Sequence, residues 1–155
     1  MPPRKWAKSP PGYTRFDQDF ERVAAKFKDA GQDLGAAILH LEAHAMEREG
    51  MHHRPIPGAG GRVWKLRFAN SSKGTGKSGG FRLIYCEALA LTISGLRLYD
   101  KGERSDIPRD EIEKSKKDLQ TAAHAELGRL TKAAEASAHA QAARVRNPYP
   151  KNRRR

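Results

Sequence analysis

Between Gly50 and Cys86 the sequence contains no aspartate and no glutamate, although the same stretch carries seven cations: Arg54, Arg62, Lys65, Arg67, Lys73, Lys77 and Arg82. Acids are also absent from residues 1–15, which hold Arg4, Lys5, Lys8 and Arg15, and from 144–155, which hold six basic residues. The formal net charge of +12 resides in these three segments, and the rest of the chain is net acidic. Positive charge segregated in this way fits a nucleic-acid or acidic-protein partner. For the two tails alone, solubility or non-specific adhesion to nucleic acid is an equal alternative.

Cysteine is nearly absent. Cys86 is single, which excludes an intramolecular disulfide and fits a reducing compartment. No apolar run approaches the roughly 20 residues needed to span a bilayer, and no secretory apolar region follows the basic N-terminus. The expectation is a soluble, cytoplasmic protein with no membrane partner. Its 155 residues suffice for one domain with a modest core.

Residues 1–12 hold four prolines and several cations and read as a flexible basic arm, with Trp6 and Tyr13 available to anchor it. Phe16, Phe20, Val23, Ala24 and Phe27 recur at helical spacing, with Gly31 as the expected stop. Leu34, Ala37, Ile38, Leu41, Ala45 and Met46 form a second stripe ending near Gly50. His40 and His44 share a face at a metal-compatible spacing, yet the surrounding His-Leu-Glu-Ala-His lacks a third ligand, so they read as surface or packing residues. His52 and His53 stand beside the cationic stretch without a defined role.

Three β-branched, aromatic runs follow, at 62–68, 81–86 and about 90–99, the pattern of a meander. Gly74-Thr-Gly-Lys-Ser78 ends like a P-loop, but Ser71 replaces the first glycine. The chain then enters a strand rather than the helix whose amides would hold phosphates, so nucleotide binding is rejected. A helix is expected from Pro108, with Asp110, Glu111 and Glu113 in its first turn and Ile112, Leu119, Ala123, Leu127 and Leu130 as its packing face. The Ala-rich 131–146 reads as a projecting or fraying helix, and 147–155 as a disordered basic tail.

Lys65, Arg67 and Arg82 fall inside strands, where a purely structural sheet favours neutral residues. One reading is a cationic sheet face that meets a polyanion. Another is the solvated outer face of an edge strand, where lysine blocks aggregation.

Four segments resemble the RelE/ParE superfamily of type II toxins, most closely its HigB-like branch. They are Pro55-Ile-Pro-Gly-Ala-Gly-Gly61, Trp64-Lys-Leu-Arg67, Gly76-Lys-Ser-Gly-Gly-Phe-Arg-Leu-Ile-Tyr85 and Leu98-Tyr-Asp-Lys-Gly-Glu-Arg-Ser-Asp-Ile107. Order and spacing agree across about 55–112; outside that range the likeness is generic. The resemblance implies an α+β, RelE-like fold: a small curved antiparallel sheet, two N-terminal helices packed on it and an extended C-terminal helix. The domain would span 13–130, between the arm at 1–12 and an Ala-rich extension and basic tail at 131–155.

The resemblance further implies an endoribonuclease that cuts messenger RNA on the ribosome and is silenced by an antitoxin with a helix-turn-helix domain. The RNA 2′-hydroxyl would attack the adjacent phosphate, a reaction that needs neither metal nor cofactor. Arg82 and Arg67 would clamp the phosphate, Lys65 or Lys101 would act as base, and Glu103 or Asp106 would orient these side chains or form ion pairs. Arg62, Lys73, Lys77 and Arg104 would contact RNA more widely. The family's arginine and tyrosine after the last strand have Gly102 and Pro108 in their places, with Arg104 nearby. The alternatives are a ParE-like toxin that inhibits DNA gyrase by binding, and a non-catalytic nucleic-acid-binding protein on the same scaffold.

Overall fold

The computed structural model describes residues 4–44, 53–59, 62–74, 76–88 and 92–146. Five strands, β1 (Lys5–Trp6), β2 (His53–Pro55), β3 (Val63–Phe68), β4 (Phe81–Ala88) and β5 (Thr92–Asp100), form one sheet in the order β1-β5-β4-β3-β2. Three helices, α1 (Arg15–Lys26), α2 (Ala30–His44) and α3 (Arg109–Arg146), complete an α+β architecture.

The central meander β3-β4-β5 is antiparallel, as its alternating sequence predicts, and β2 adds antiparallel to β3. The sheet as a whole is mixed, because β1 pairs parallel with β5 through Lys5–Thr92 and Trp6–Ile93. The expected flexible arm is therefore corrected at these residues. The Ala7 amide donates to the Ile93 carbonyl at 2.8 Å, and the Trp6 ring packs 5.7 Å from Phe16.

Side chains alternate across the sheet. Trp64, Leu66 and Phe68 on β3 stand opposite Tyr85, Leu83 and Phe81 on β4, and all six are buried. The Trp64 and Tyr85 rings stack at 5.8 Å, and the Phe81 ring meets Phe27 nearly edge-on at 5.7 Å. This face lies under α1 and α2. Gly95 on β5 admits the Phe16 ring so closely that a Cβ there would sit 2.6 Å from it. The opposite face presents Lys65 and Arg67 on β3 and Arg82, Ile84 and Cys86 on β4. The first part of α3 crosses that side.

Helix boundaries follow burial rather than the nearest glycine. Phe27 is extended and caps α1, its amide still bonded to the Val23 carbonyl at 2.8 Å, and Gly31 lies inside α2 rather than ending α1. Burying Phe27 against Phe81 takes the chain out of the helical path four residues early. Along α2, Leu34, Ala37 and Leu41 are buried; Met46 and the expected end near Gly50 lie outside the described residues.

Helix α3 begins at Arg109, one residue after Pro108, and runs 38 residues, or about 55 Å at 1.5 Å per residue. Its buried residues are Ile112, Ser115, Leu119 and Ala122. The packing face thus ends at Ala122, not at 130 as expected: Leu127 and Leu130 are 52% and 50% exposed. The nine residues of β5 span only about 30 Å, so a helix of this length overruns the sheet. The projecting helix expected over 131–146 is present, every residue of it exposed, and 147–155 lie outside the described residues.

Candidate functional site: a cationic cleft beside the start of α3

Arg54 on β2 pairs in register with Lys65 on β3, and Arg67 lies two residues further along the same strand face. Helix α3 brings Arg109 over them from the other side, its guanidinium passing so close to Gly58 that a Cβ there would lie 2.9 Å from it. Together with Asp106 and Ile112 these side chains line an open cleft of about 310 Å³. Four cations and one carboxylate therefore face a single space. Among the described residues, the side chains of Arg54, Arg67 and Arg109 have no hydrogen-bond or ion-pair partner.

Asp106 organises the remaining charge. Its Oδ1 accepts from Lys65 Nζ at 2.9 Å, from the Tyr99 hydroxyl at 3.3 Å and from the Ile107 amide at 2.9 Å. Partial burial works against ionisation, but the Lys65 ammonium, the Ile107 amide and the Tyr99 hydroxyl hold the carboxyl below its ordinary value. Tyr99 is pushed up to about 12, first by burial and then by the adjacent Asp106 charge. The expected choice for Asp106 between orienting residue and ion pair is answered by this geometry: it does both for Lys65.

Of the residues singled out in sequence, Lys65 and Arg67 are in the cleft; Arg82 and Lys101 are not among its lining residues. Arg82 stands opposite Arg67 on β4 but is only 3% exposed. Its guanidinium donates to the carbonyls of Lys77 at 3.0 Å, Ser78 at 2.7 Å and Phe81 at 3.2 Å. The reading that places Arg82 on a cationic sheet face open to a polyanion is thus corrected. It anchors the turn between β3 and β4, whose carbonyls supply the acceptors that an acid-free stretch cannot. Burial first, and then the charge of Arg67, draw the Arg82 guanidinium below its usual value. Gly80 closes the same turn, since a Cβ there would stand 2.2 Å from the Phe68 carbonyl oxygen.

Lys101 is exposed, and its amide donates to the Gly80 carbonyl at 3.1 Å. Arg62 is exposed in a left-handed conformation at the start of β3 (φ 59°). Lys77 is also exposed. Lys73 is committed to structure, paired with the buried Asp100 and lying 5.4 Å above the Phe27 ring. The Arg104 guanidinium donates to the Asp106 carbonyl at 3.1 Å, bracing the loop that carries the carboxylate. Glu103 faces Arg22 and Lys26 at 3.6 and 3.4 Å, away from the cleft residues.

Arg109 is the member of the cleft that sequence reading missed. Its signal was present, a cation immediately after Pro108 at a helix start, but its convergence with Arg54 depends on the chain folding back over the sheet. Arg54 was visible as part of the acid-free stretch without a place assigned to it.

The arrangement suits binding of a phosphodiester. Guanidinium groups without a protein partner offer forked donors that match phosphate oxygens, and the N-terminal end of α3 adds a favourable dipole. Among the described residues no helix is long and apolar enough to cross a membrane. No protein-family model matches the chain, and none of the curated proteins searched matches it.

Proposed function

We propose that the chain is a type II toxin of the RelE/ParE kind, close to its HigB-like branch, and an endoribonuclease that cuts messenger RNA on the ribosome. The observation that carries this reading is the convergence of Arg54, Lys65, Arg67 and Arg109 on one cleft that holds a single carboxylate. The likeness of 55–112 to that superfamily supplies the reaction.

In this reading the scissile phosphate sits among Arg54, Arg67 and Arg109. Bending the strand aligns the 2′-oxygen with the 5′-leaving oxygen, and the guanidinium groups stabilise the charge that develops on the phosphorane. The 2′-oxygen forms a bond to phosphorus while the bond from phosphorus to the 5′-oxygen breaks, giving a 2′,3′-cyclic phosphate and a 5′-hydroxyl. Asp106, the carboxylate on the cleft, accepts the 2′-hydroxyl proton, and Lys65 beside it donates one to the leaving oxygen. The base role expected for Lys65 or Lys101 passes to Asp106, because Asp106 is an exposed acceptor already on the cleft. An antitoxin of the helix-turn-helix kind is the implied partner, and the cytoplasm the implied compartment.

The burial of Arg82 favours a second reading, in which the cleft binds nucleic acid without cutting it. Incubation of the purified protein with ribosomes carrying end-labelled messenger RNA separates the two. The nuclease reading expects fragments ending in 2′,3′-cyclic phosphate, absent with Arg67→Ala. Tight binding with intact RNA supports the second reading and overturns the first.

A further inference from the structure

The charged groups account for only part of the cleft. Its lining also includes Ile56, Pro57, Ile107 and Ile112, which the phosphate chemistry leaves unused. Ile107 and Ile112 are 3% and 2% exposed and belong to the core. Ile56 packs on that core but is only partly buried, and Pro57 is exposed. These two therefore have apolar surface left to offer a ligand.

The chain sets this apolar wall beside the cations. Side chains alternate along β2 and its continuation, so Ile56 follows Arg54 on the cleft side, and its amide donates to the Val63 carbonyl at 2.9 Å. Pro55 and Pro57 flank it and restrict the backbone on both sides. Gly58, at φ 77°, then turns the chain against the Arg109 guanidinium. The wall is thus held in shape with a cation at either end.

A phosphate group alone needs neither an apolar wall nor this much room. A volume of about 310 Å³ stands at the lower end of the range for small-molecule sites, which begins at about 300 Å³. It suits a compact ligand that is anionic at one end and apolar at the other. A nucleotide has that make-up, since every base offers an apolar face. Among the described residues the lining contains no aromatic ring and no uncharged polar side chain. The wall therefore recognises a base by contact area rather than by hydrogen bonds of its own.

We propose that Ile56 and Pro57 form a nucleobase subsite, so that the cleft takes one whole nucleotide of an unpaired RNA strand, its phosphate on the guanidinium groups and its base against the wall. The proposal rests on the reading of the cleft as an RNA site and adds the element that selects the substrate. A base reaches Ile56 only after leaving its stack and its pairing partner, so single-stranded RNA is the substrate class. Because contact area decides, a purine is preferred to the smaller pyrimidine.

The test uses the full chain and three probes that share one phosphate ester: ribose 5-phosphate, cytidine 5′-monophosphate and adenosine 5′-monophosphate. None contains the phosphodiester that the proposed reaction cleaves, so calorimetry or NMR titration reads binding alone. Ile56→Ser removes apolar surface from the wall, and Pro57→Ser changes its exposed part without entering the core. Arg67→Ala reports on the phosphate side.

The proposal expects adenosine monophosphate to bind the wild type about tenfold more tightly than ribose 5-phosphate, the return on covering about 55 Å² of apolar surface. Cytidine monophosphate should fall between them. Both wall variants should shrink the ratio of adenosine monophosphate to ribose 5-phosphate affinity, whereas Arg67→Ala should weaken all three probes and keep it. Equal affinity of the wild type for the three probes would overturn the subsite, whatever Ile56→Ser does to folding, and so would a ratio that neither wall variant alters. Cytidine monophosphate binding as tightly as adenosine monophosphate would overturn selection by area. If all three probes fail to bind, or bind Arg67→Ala as they bind the wild type, the reading of the cleft fails instead, so the two failures are distinct.

Discussion

Asp19 on α1 and Arg97 on β5 are locked together in the interior, with the guanidinium Nε 2.7 Å from Oδ2 and both residues at most 5% exposed. The same carboxylate accepts from the Leu98 amide at 3.0 Å and from Arg22 at 2.9 Å. Beyond its short pairing with β1, the outer edge of β5 is closed by side chains: the Tyr13 hydroxyl donates to the Leu96 carbonyl at 2.6 Å, and Arg22 to the Leu98 carbonyl at 3.1 Å. Leu96 lies where the β4–β5 register skips a residue, since Ile84 faces Arg97 and Tyr85 faces Gly95.

Asp19→Ala leaves the Arg97 Nε and the Leu98 amide buried without their acceptor, with Glu111, 3.3 Å from the other end of the guanidinium, as the remaining partner of Arg97. Removing one partner of a buried ion pair costs about 3–5 kcal/mol. Urea unfolding of this variant should show a midpoint far below that of the wild type. A loss below about 1 kcal/mol, the scale of an exposed pair, would mean that this edge is not closed as described.

Arg82→Met keeps the length of the side chain but deprives the carbonyls of Lys77, Ser78 and Phe81 of their donor. The expected loss of stability is about 1–3 kcal/mol, the cost of leaving buried polar groups unsatisfied. RNA affinity per folded molecule should stay within about twofold of wild type. Arg67→Ala should do the reverse, with little change in stability and RNA binding weakened roughly tenfold or more. Selective loss of RNA affinity in Arg82→Met, with stability unchanged, would return Arg82 to the site.

Tyr13 and Tyr99 are both pushed up to about 12, in each case chiefly by burial. The ordinary tyrosine value is about 10, so their contribution to stability is complete below that pH and is lost as the pH rises through the folded value. Asp106 is lowered; its contribution is present above the ordinary carboxylate range and lost as the pH falls through its folded value. The urea midpoint should therefore fall at both extremes. Tyr99→Phe should flatten the alkaline limb and Asp106→Asn the acidic one. Limbs unchanged in these variants would rule out this assignment.

Cys86 is buried on β4, and burial pushes its thiol up to about 12. The native protein should resist alkylation at pH 8 for as long as it stays folded, since the thiolate is the reactive species, and react fully in denaturant. Mass spectrometry reads the adduct. Rapid labelling of the folded protein would contradict the packing around β4.

The central strands were legible because their signals are local: Val63–Phe68 shows its alternation directly, with Lys65 and Arg67 less buried than their neighbours, and Phe81–Cys86, buried on both faces, shows as a short and largely apolar run. The pairing of Lys5–Trp6 with β5 was not, because a two-residue strand has no period and its partner lies almost ninety positions away. Arg82 was misjudged for a related reason. Its strand position is the same as that of a cleft residue, and only the turn at 77–79 decides that its guanidinium finds carbonyls instead of solvent. Arg54 and Arg109 meet through tertiary folding alone.

The most direct test of the cleft as a nuclease site is primer extension on cellular messenger RNA after brief induction, comparing the wild type with the Arg54→Ala, Arg67→Ala, Arg109→Ala triple variant at matched soluble expression. The account predicts discrete new 5′ ends within translated frames for the wild type and none for the variant. Identical new ends in both would contradict the placement of the site. Intact messages in both would contradict the nuclease itself.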